Sequence, residues 1–453
     1  MLKFLPLVLL PGMLPSLLPG FLGLKATFGL GTWQPVEELN LAAVDIRPVW
    51  ESAWVKKTIA NDPTAKAIVS DYLSGLSAAG YQTELQGVWI AAGLYPIAQN
   101  EGSQLRPAAS LTKIATTLAA LSTWEPDHRF ETLVGWQGQL ENGVIVGDLV
   151  IEGGGDPLFV WEEAIALASA LQQMGIRQVT GDVIVAGDFT MNFDPSPSRS
   201  GRLLKQAFNA AEWDYVIEAA YQNLPLAIPK PTVQIEGAIK TEPSSRKNSV
   251  SGWLIRHQSL PLVAVLKAMN IYSNNAMAEQ LANSVGGVPA VIEQAEKFAG
   301  VIPGELVLVN GSGLGEENQM SPRAAVAMFR QVQTVLRASD LTISDIFPIA
   351  GSDGGTISDR AMPDNTVVKT GTLAVVSALA GALPTRDKGI VWFSLINYGS
   401  DLDALRRRQD LAVSDMEQRW GKADIPPALK TTVRIGEPPY QLGDRARNQA
   451  ISQ

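Results

Sequence analysis

The sequence predicts an α/β (α+β) protein in which a helix-rich core domain is interrupted by a strand-rich insert. Apolar residues recur at helical spacing before residue 126 and again from residue 259. Between these regions, short strand patterns alternate with Gly, Asn and Asp turns. A chain of 453 residues with 46% hydrophobic content exceeds what one compact core usually holds, so we expect two or three structural units.

Hydrophobic periodicity defines the elements of the first part of the chain. Helices are predicted at 53–61 and 64–79, and a strand pair at 86–98 turns around Gly93. The segment 110–123 then carries apolar residues at helical spacing. It is the most regular helical pattern in the first half of the sequence.

The segment 127–240 has the pattern of a strand-rich insert. Strands are predicted at 132–140 and 144–151, and Asn142-Gly143 between them is a strong hairpin signal. The remaining predicted elements of this segment are a helix at 161–174 and a strand at 182–186.

Helical periodicity returns at 259–300 and again from Ser321, where Ser-Pro supplies an N-cap and a first-turn proline. Three successive strands and a helix are predicted next, at 366–372, 375–383, 390–398 and 401–420. The closing segment 426–453 is rich in Pro, Gln and charge, and we predict that it forms a surface tail.

Composition excludes several classes of function. The net charge is −9 and no Lys/Arg block forms a phosphate-binding stripe, so nucleic acid is not expected as a partner. Cysteine is absent, which excludes disulfides and thiol nucleophiles. The only two histidines are His128 and His257, and we expect neither a metal nor a cofactor. A Ser-His-Asp hydrolase would need one of them as its base, and the sequence has no Gly-x-Ser-x-Gly elbow.

The N-terminus has the charge-then-hydrophobe order of an export signal, with Lys3 before an apolar run at 4–23. Four prolines interrupt that run, which disfavours a membrane-spanning helix. We therefore predict a signal peptide within 1–25, with an uncleaved anchor as the alternative. Either outcome implies an exported protein of the periplasm or cell envelope, and an anchor would associate it with the membrane.

Ser110 and Lys113 place a hydroxyl and an amine one turn apart at the start of the 110–123 helix, on one face. A neutral amine there can accept the serine proton. The pKa of Lys113 must therefore be lowered by burial or by a neighbouring cation, and Lys369 is the candidate cation. The N-terminus of the helix also offers a backbone N–H for an oxyanion.

The Ser-x-x-Lys pattern alone is weak, because about one or two copies arise by chance in a chain of this length. A second copy spans Ser244 to Lys247, in a polar Pro/Ser-rich stretch without an apolar helical stripe. The helical context therefore favours Ser110 as the nucleophile.

Two further motifs supply polar side chains in order along the chain. Ser273-Asn274-Asn275 lies between two amphipathic stretches and predicts an exposed turn. Lys369-Thr370-Gly371-Thr372 lies on a predicted strand. A lysine, a hydroxyl and a glycine would then follow one another along the edge of that strand, where a peptide can pair with the backbone.

In this order, the three motifs resemble the signature of penicillin-binding proteins and class A β-lactamases. The sequence resembles the penicillin-recognising serine D-Ala-D-Ala carboxypeptidases and, within them, the S13 family of the penicillin-binding protein 4 type, and the similarity runs from about Gly87 to Tyr398. It implies a penicillin-binding/β-lactamase-like transpeptidase domain, with an antiparallel sheet flanked by helices. The additional blocks that carry it are Pro107-Ala-Ala-Ser-Leu-Thr-Lys113, Arg129-Phe-Glu-Thr132, Gly155-Asp-Pro157, Asn310-Gly-Ser-Gly-Leu314 and Ala350-Gly-Ser-Asp-Gly-Gly-Thr356.

The resemblance implies a catalytic domain split into 38–126 and 241–425 around an insert at 127–240. The gap from Lys113 to Ser273 is 160 residues (273 − 113), shorter than the two-domain insert typical of S13, which indicates that one insert domain is missing or trimmed. The pair Gly354-Gly355 also departs from the family, which usually has one glycine there.

The resemblance also implies chemistry on peptidoglycan stem peptides. Ser110 would attack the carbonyl between two D-alanines, Lys113 would accept its proton, and the N–H groups of Ser110 and Thr372 would hold the oxyanion. Ser273 would relay a proton to the leaving amine, and Asn275 would bind the acyl-side amide. β-Lactams would acylate the same serine.

Two substrate subsites follow from the same resemblance. Lys369 and Thr370 would hold the terminal carboxylate of the stem peptide. Asp156 and Arg360 would form the pocket for its diamino acid.

The resemblance thus predicts a carboxypeptidase, which would also be a DD-endopeptidase if it cleaves cross-links. Two alternatives to this function stay open. A β-lactamase is one, although no Glu-x-x-Leu-Asn stretch for a class A deacylating glutamate follows Ser273. A catalytically silent wall-binding protein is the other, although drift usually erases a nucleophile or lysine first.

Overall fold

The computed structural model describes residues 62–225, 228–243 and 250–451. The helix predicted at 53–61, the N-terminal segment 1–25 and the Ser244 to Lys247 motif lie outside these ranges. Within the described ranges, no helix combines the length and apolar character that crossing a membrane requires.

Regular structure alternates along the chain as the periodicity predicts. The helices are α1 (Pro63–Ala78), α2 (Thr112–Thr123), α3 (Trp161–Gln173), α4 (Pro197–Ala207), α5 (Tyr215–Gln222), α6 (Leu262–Tyr272), α7 (Asn275–Ser284), α8 (Gly287–Ala299), α9 (Pro322–Leu336) and α10 (Leu402–Trp420). The strands are β1 (Gly87–Ala92), β2 (Tyr95–Asn100), β3 (Arg106–Pro107), β4 (Glu131–Glu141), β5 (Val144–Gly154), β6 (Gln178–Val179), β7 (Val183–Asp188), β8 (Gln234–Ile235), β9 (Ile239–Glu242), β10 (Gly252–Gln258), β11 (Leu306–Val307), β12 (Gln319–Met320), β13 (Val367–Leu373), β14 (Val376–Thr385), β15 (Gly389–Tyr398) and β16 (Asn448–Ala450).

The first sheet is antiparallel and has the order β13-β14-β15-β1-β2. Every residue of β14 is buried, because helices cover both faces of the sheet. Leu379 and Leu383 pack with α1 and α10 on one face, whereas Ala378 and Ala380 face the cluster that contains α2. The predicted antiparallel sheet flanked by helices is confirmed.

The buried helix α2 packs on the face of the five-stranded sheet that carries Ala378 and Ala380. Every residue from Thr112 to Leu121 is buried, as expected for a helix with protein on all sides. Helices α7, α8 and α9 pack against it. The predicted N-cap of α9 is present, with Ser321 Oγ accepting the N–H of Ala324 at 3.0 Å. Residues on α2 are therefore held rigidly.

A second, eight-stranded sheet contains β4 to β10 and β16, and helices α3 to α5 pack against it. The Asn142-Gly143 hairpin is confirmed, with Glu141 opposite Val144. The segments 147–151 (Gly-Asp-Leu-Val-Ile) and 181–185 (Gly-Asp-Val-Ile-Val) are similar in sequence and lie side by side in parallel, with Leu149 opposite Val183. Strand β9 crosses the position 240 at which the end of the insert was predicted, and β10, beyond it, pairs with β4.

The prediction of a surface tail at 426–453 is wrong for the described part of this segment. Strand β16 extends the eight-stranded sheet by pairing with β10, and Leu429 and Val433 are buried in the cluster around α2. Arg447 is also buried, and its guanidinium pairs with the carboxylate of Glu163 on α3. Composition suggested a solvated segment because these few buried residues are dispersed among polar ones.

We expect Arg447→Ala to destabilise the protein strongly, because it leaves Glu163 buried without its cation. Loss of one partner of a buried ion pair should lower the free energy of unfolding by about 3 kcal/mol, measured by urea denaturation. The control is Arg434→Ala, whose side chain is 65% exposed and 3.9 Å from Glu437. That change should cost less than about 1 kcal/mol, and equal small losses in both variants would contradict the buried pairing.

Candidate active site

The main-chain turn before α2 places Ser110 at the end of a buried helix. Residues Ala109–Leu111 form a single 3-10 turn that leads directly into α2. Ala109 has a φ of 47°, a left-handed conformation that is uncommon for a residue with a side chain. Ser110 and Lys113 project from the same side, as the sequence predicts.

Lys113 is fully buried, and its Nζ has three oxygen partners. They are Ser110 Oγ at 2.9 Å, Asn275 Oδ1 at 2.7 Å and the Ser312 carbonyl at 2.8 Å. The amide oxygen and the carbonyl can only accept hydrogen bonds, whereas the serine hydroxyl can also donate. In a neutral amine the two N–H groups therefore bond to Asn275 and Ser312, and the lone pair points at the Ser110 proton.

Burial lowers the pKa of Lys113 to about 7, because the charged form loses its hydration, while the Glu279 carboxylate opposes this fall. Burial, and then repulsion from Lys113, hold the pKa of Lys369 well below its ordinary value. The sequence left burial and the Lys369 cation as alternative causes of a lowered Lys113 pKa. Burial is the cause that lowers it in the structure.

The sequence did not predict two groups that position Lys113, the Glu279 carboxylate and the Ser312 carbonyl. Glu279 accepts the backbone N–H groups of Gly311 and Ser312, each at 3.0 Å, and these bonds hold the Ser312 carbonyl toward Lys113. The available signals were the block 310–314 and the spacing of Glu279, one helical turn after Asn275 on α7.

The Ser273 to Asn275 motif forms the sharp turn between α6 and α7. Ser273 ends α6 with a φ of 52°, Asn274 caps α7 through Met277 N–H at 3.0 Å, and Asn275 begins α7. Ser273 Oγ accepts a hydrogen bond from Lys369 Nζ at 3.0 Å. The turn therefore links both lysines, one through Asn275 and the other through Ser273.

Strand β13 borders the site as an edge strand, which agrees with the sequence prediction. Gly371 lets it approach the nucleophile, because a Cβ there would lie 2.8 Å from Ala108 O and 3.1 Å from Ser110 N. Gly313 does the same from the opposite side, since its Cβ would overlap the carbonyl oxygen of Ala109. The turn that carries Ser110 is thus enclosed between two glycines.

The loop before β13 is held by a buried charge. Lys267 on α6 pairs with Asp353 at 3.1 Å, and Asp353 also accepts the N–H of Ile349 at 2.9 Å. Three residues beyond Asp353, the hydroxyl of Thr356 contacts that of Thr370 at 2.9 Å. The block at 350–356 therefore forms one wall beside β13.

The turn that carries Ser110, the Ser273 turn and strand β13 border a cavity of about 720 Å³. Ser110, Ser273, Asn275, Thr370, Thr372 and Arg360 line it, together with Gly355, Thr356, Asp359, Asp403, Arg406, Arg407 and Asp410. Lys113 and Lys369 lie buried beneath this wall. The structure thus brings together all five residues that we predicted to be catalytic.

The diamino-acid pocket assigned to Asp156 and Arg360 stays a prediction, because only Arg360 of the two lines this cavity. Asp156 is 4% exposed, is not a lining residue of this cavity, and accepts the N–H of Leu158 at 2.8 Å. Burial raises the pKa of Asp156 to about 7. Arg360 does line the cavity, but Asp410 and Gln409 hold its guanidinium at 2.7 and 3.1 Å. Local turn and ion-pair contacts thus occupy both side chains.

The histidines take no part in this site. His257 is buried, and its Nδ1 lies 2.8 Å from Asn448 Oδ1, while His128 stacks on Trp124 with ring centroids 5.4 Å apart. Both side chains therefore make packing and hydrogen-bond contacts outside the cavity.

The sequence matches the D-Ala-D-Ala carboxypeptidase 3 (S13) family over residues 88–212 and 218–418. The chain belongs to this S13 family. The matched residues contain the whole site described above, so the resemblance inferred from the motifs is confirmed.

Individual relatives agree with this assignment. D-alanyl-D-alanine carboxypeptidase DacB of Haemophilus influenzae is 25% identical, over 70% of this chain and 86% of its own length. D-alanyl-D-alanine carboxypeptidase of Actinomadura sp. strain R39 is 26% identical, over 66% and 74%. S13 relatives are thus matched over most of their length.

Solved structures share the fold. A predatory endopeptidase of Bdellovibrio bacteriovorus superposes with a TM-score of 0.69 at 19% identity, covering 82% of this chain and all of its own. Penicillin-binding protein 4 of H. influenzae gives 0.58 at 21% identity, covering 78% and 99%. The penicillin-binding fold predicted from the sequence is therefore confirmed.

We predict that Glu279→Gln shifts the pH dependence of this S13 enzyme to lower pH. A neutral Lys113 is required, so kcat/KM should rise with pH through about 7. Removing the carboxylate that raises the pKa of Lys113 lowers that pKa further. Measuring kcat/KM from pH 5 to pH 9, a range of about four units around that value, checks this. Glu293→Gln, exposed on α8, is the control and should leave the profile in place; an unmoved profile in Glu279→Gln would refute the electrostatic role.

We predict that Gly371→Ala slows acylation about ten- to a hundredfold, because β13 must move away from the Ser110 turn. The measurement is the rate of covalent labelling by a fluorescent penicillin. Gly75→Ala, where only the flexible end of Arg408 lies near the new methyl group, should label at the wild-type rate. Wild-type labelling of Gly371→Ala would show that this close approach is unnecessary.

Proposed function

We propose that the protein is a serine-type D-Ala-D-Ala carboxypeptidase that hydrolyses peptidoglycan stem peptides through an acyl-enzyme on Ser110. The observation that carries this proposal is the buried Lys113 amine, whose two acceptor-only partners leave its lone pair for the Ser110 hydroxyl. Membership of the S13 family indicates which bond is cleaved, the one between two D-alanines.

Acylation begins when Lys113 accepts the Ser110 proton and Oγ attacks the carbonyl carbon between the two D-alanines. Negative charge then develops on the carbonyl oxygen, and the backbone N–H groups of Ser110 and Thr372 stabilise it. Asn275 binds the acyl-side amide. Because β13 is an edge strand, the peptide can align along it as an added strand.

The leaving amine needs a proton when its C–N bond breaks. The proton held by Lys113 passes to it, with Ser273 as the relay. Water then attacks the ester, Lys113 takes a proton from the water, and Ser110 recovers that proton as its bond to the acyl group breaks. The products are the shortened peptide acid and D-alanine, and Lys113 is neutral again.

The leaving-group side of the cavity carries the polar groups of β13. Lys369 and Thr370 hold the terminal carboxylate there, and an anion close to Lys369 would raise its pKa and restore its charge. When the leaving group is a cross-linked peptide instead of free D-alanine, the same chemistry is that of a DD-endopeptidase.

Cell-envelope location is part of the proposal, because the substrate lies outside the cytoplasmic membrane. The charge and apolar run at 1–25 support export by a signal peptide, or retention at the membrane by an uncleaved anchor. We also propose a catalytic domain that is interrupted by an insert, with its second boundary beyond β10 rather than at 240.

Covalent labelling tests the nucleophile. Wild-type protein and Ser244→Ala should react with a fluorescent penicillin, whereas Ser110→Ala should lose all label, because it lacks the hydroxyl that forms the acyl-enzyme. A model tripeptide ending in D-alanyl-D-alanine should release D-alanine. Absence of label in the wild type would overturn the enzyme assignment, and rapid nitrocefin turnover without D-alanine release would favour a β-lactamase.

A further inference from the structure

One face of helix α10 forms part of the wall of the cavity that Ser110 also lines. Asp403, Arg406, Arg407 and Asp410 follow one another at i, i+3, i+4 and i+7, so they form a single stripe along the helix. All four line the cavity that contains Ser110. A charged stripe that would ordinarily face solvent is therefore part of the site.

The two ends of this stripe differ in their availability to a ligand. Asp410 is engaged by Arg360, whose side chain is only 6% exposed. Arg406 is 37% exposed, and its contact with Asp403 is a weak surface pair at 3.4 Å, with Asp403 75% exposed. The Arg406 guanidinium is thus open to an anion in the cavity.

Arg406 also contacts β13 directly. Its Nη2 donates a hydrogen bond to Thr372 Oγ1 at 3.1 Å. A hydroxyl has one proton and two lone pairs, so accepting this bond leaves the Thr372 proton free to be donated. Thr372 is exposed to the cavity, two residues along the strand from Thr370 and therefore on the same face.

We infer that Arg406 is a specificity-determining residue that recognises the free carboxylate of the leaving group, through its own N–H groups and through the hydroxyl of Thr372. The inference rests on the proposed function, in which that carboxylate lies over β13. It adds a fixed cation from α10 to a subsite otherwise built from the strand.

A second cation is needed to bind the carboxylate, because the Lys369 amine does not hold a permanent positive charge. Its amine is fully buried, and both burial and the nearby Lys113 oppose its protonation. A guanidinium keeps its charge throughout the physiological range and presents several N–H groups in one plane, which suits a carboxylate. Arg406 is therefore the group that can distinguish an acid from a neutral C-terminus.

The test compares two substrates, an N-acylated tripeptide ending in D-alanyl-D-alanine and the same peptide with an amidated C-terminus. Wild-type enzyme should prefer the free acid. Arg406→Gln should lower kcat/KM for the acid about tenfold, the size expected for one charge-assisted hydrogen bond, and leave the amide nearly unchanged. Arg408→Gln, which removes the same charge from α10 outside this cavity, should keep the wild-type preference.

Two further variants separate recognition from structural support. Arg406→Lys should retain part of the preference because it keeps the charge, and Thr372→Val should lose part because it removes the hydroxyl that Arg406 orients. A wild-type preference in Arg406→Gln, or equal losses for both substrates, would overturn the inference. A wild-type enzyme that cleaves neither peptide would instead overturn the proposed function.

Discussion

The chemistry of this site depends on the two oxygens that can only accept hydrogen bonds from Lys113. They occupy both N–H groups of a neutral amine, so the orientation of its lone pair is fixed before substrate arrives. One oxygen belongs to Asn275 at the start of α7, and the other to Ser312, whose carbonyl is set by Glu279. Burial makes the neutral amine accessible near pH 7, while Glu279 limits how far the pKa falls. Orientation and basicity of the lysine are therefore controlled by the same small group of residues.

The scaffold brings these groups together by alternating small and large side chains on the five-stranded sheet. Alanines of β14 face α2, and larger leucines face α1 and α10. Small side chains on one face, and glycines on both sides of the Ser110 turn, let main-chain segments approach closely. The strained turn at Ala109 persists because its neighbours leave it no alternative. Precision at the nucleophile thus comes from packing that is distant in sequence.

The sequence was sufficient to predict the elements and the residues that face one another across the cavity. Ser110, Lys113, Ser273, Asn275 and Lys369 lie in short motifs with strong local patterns, and periodicity located the helices and strands that carry them. Glu279 and Arg406 were missed, because the one-turn spacing of Glu279 from Asn275 is a weak signal and each is an ordinary charged residue on an amphipathic helix until the fold gives it a neighbour. Asp156 is the reverse case, since a family block predicted a subsite residue, whereas its carboxylate is buried and accepts the N–H of Leu158 in a local turn. The packed C-terminal segment was missed because composition cannot show which few residues are buried.

The pairing of β1 with β15 has a consequence for how the protein folds. Gly87 lies opposite Ile396, so the five-stranded sheet closes only after the intervening segment, which carries seven strands (β4 to β10) of the eight-stranded sheet, has been synthesised. Contacts so far apart in sequence form slowly, since a large loop must close before they contribute. If that segment folds first, it shortens the effective loop. The nucleophile comes from the first part of the chain and Lys369 from the last, so covalent capture of penicillin would report that folding of the whole domain is complete.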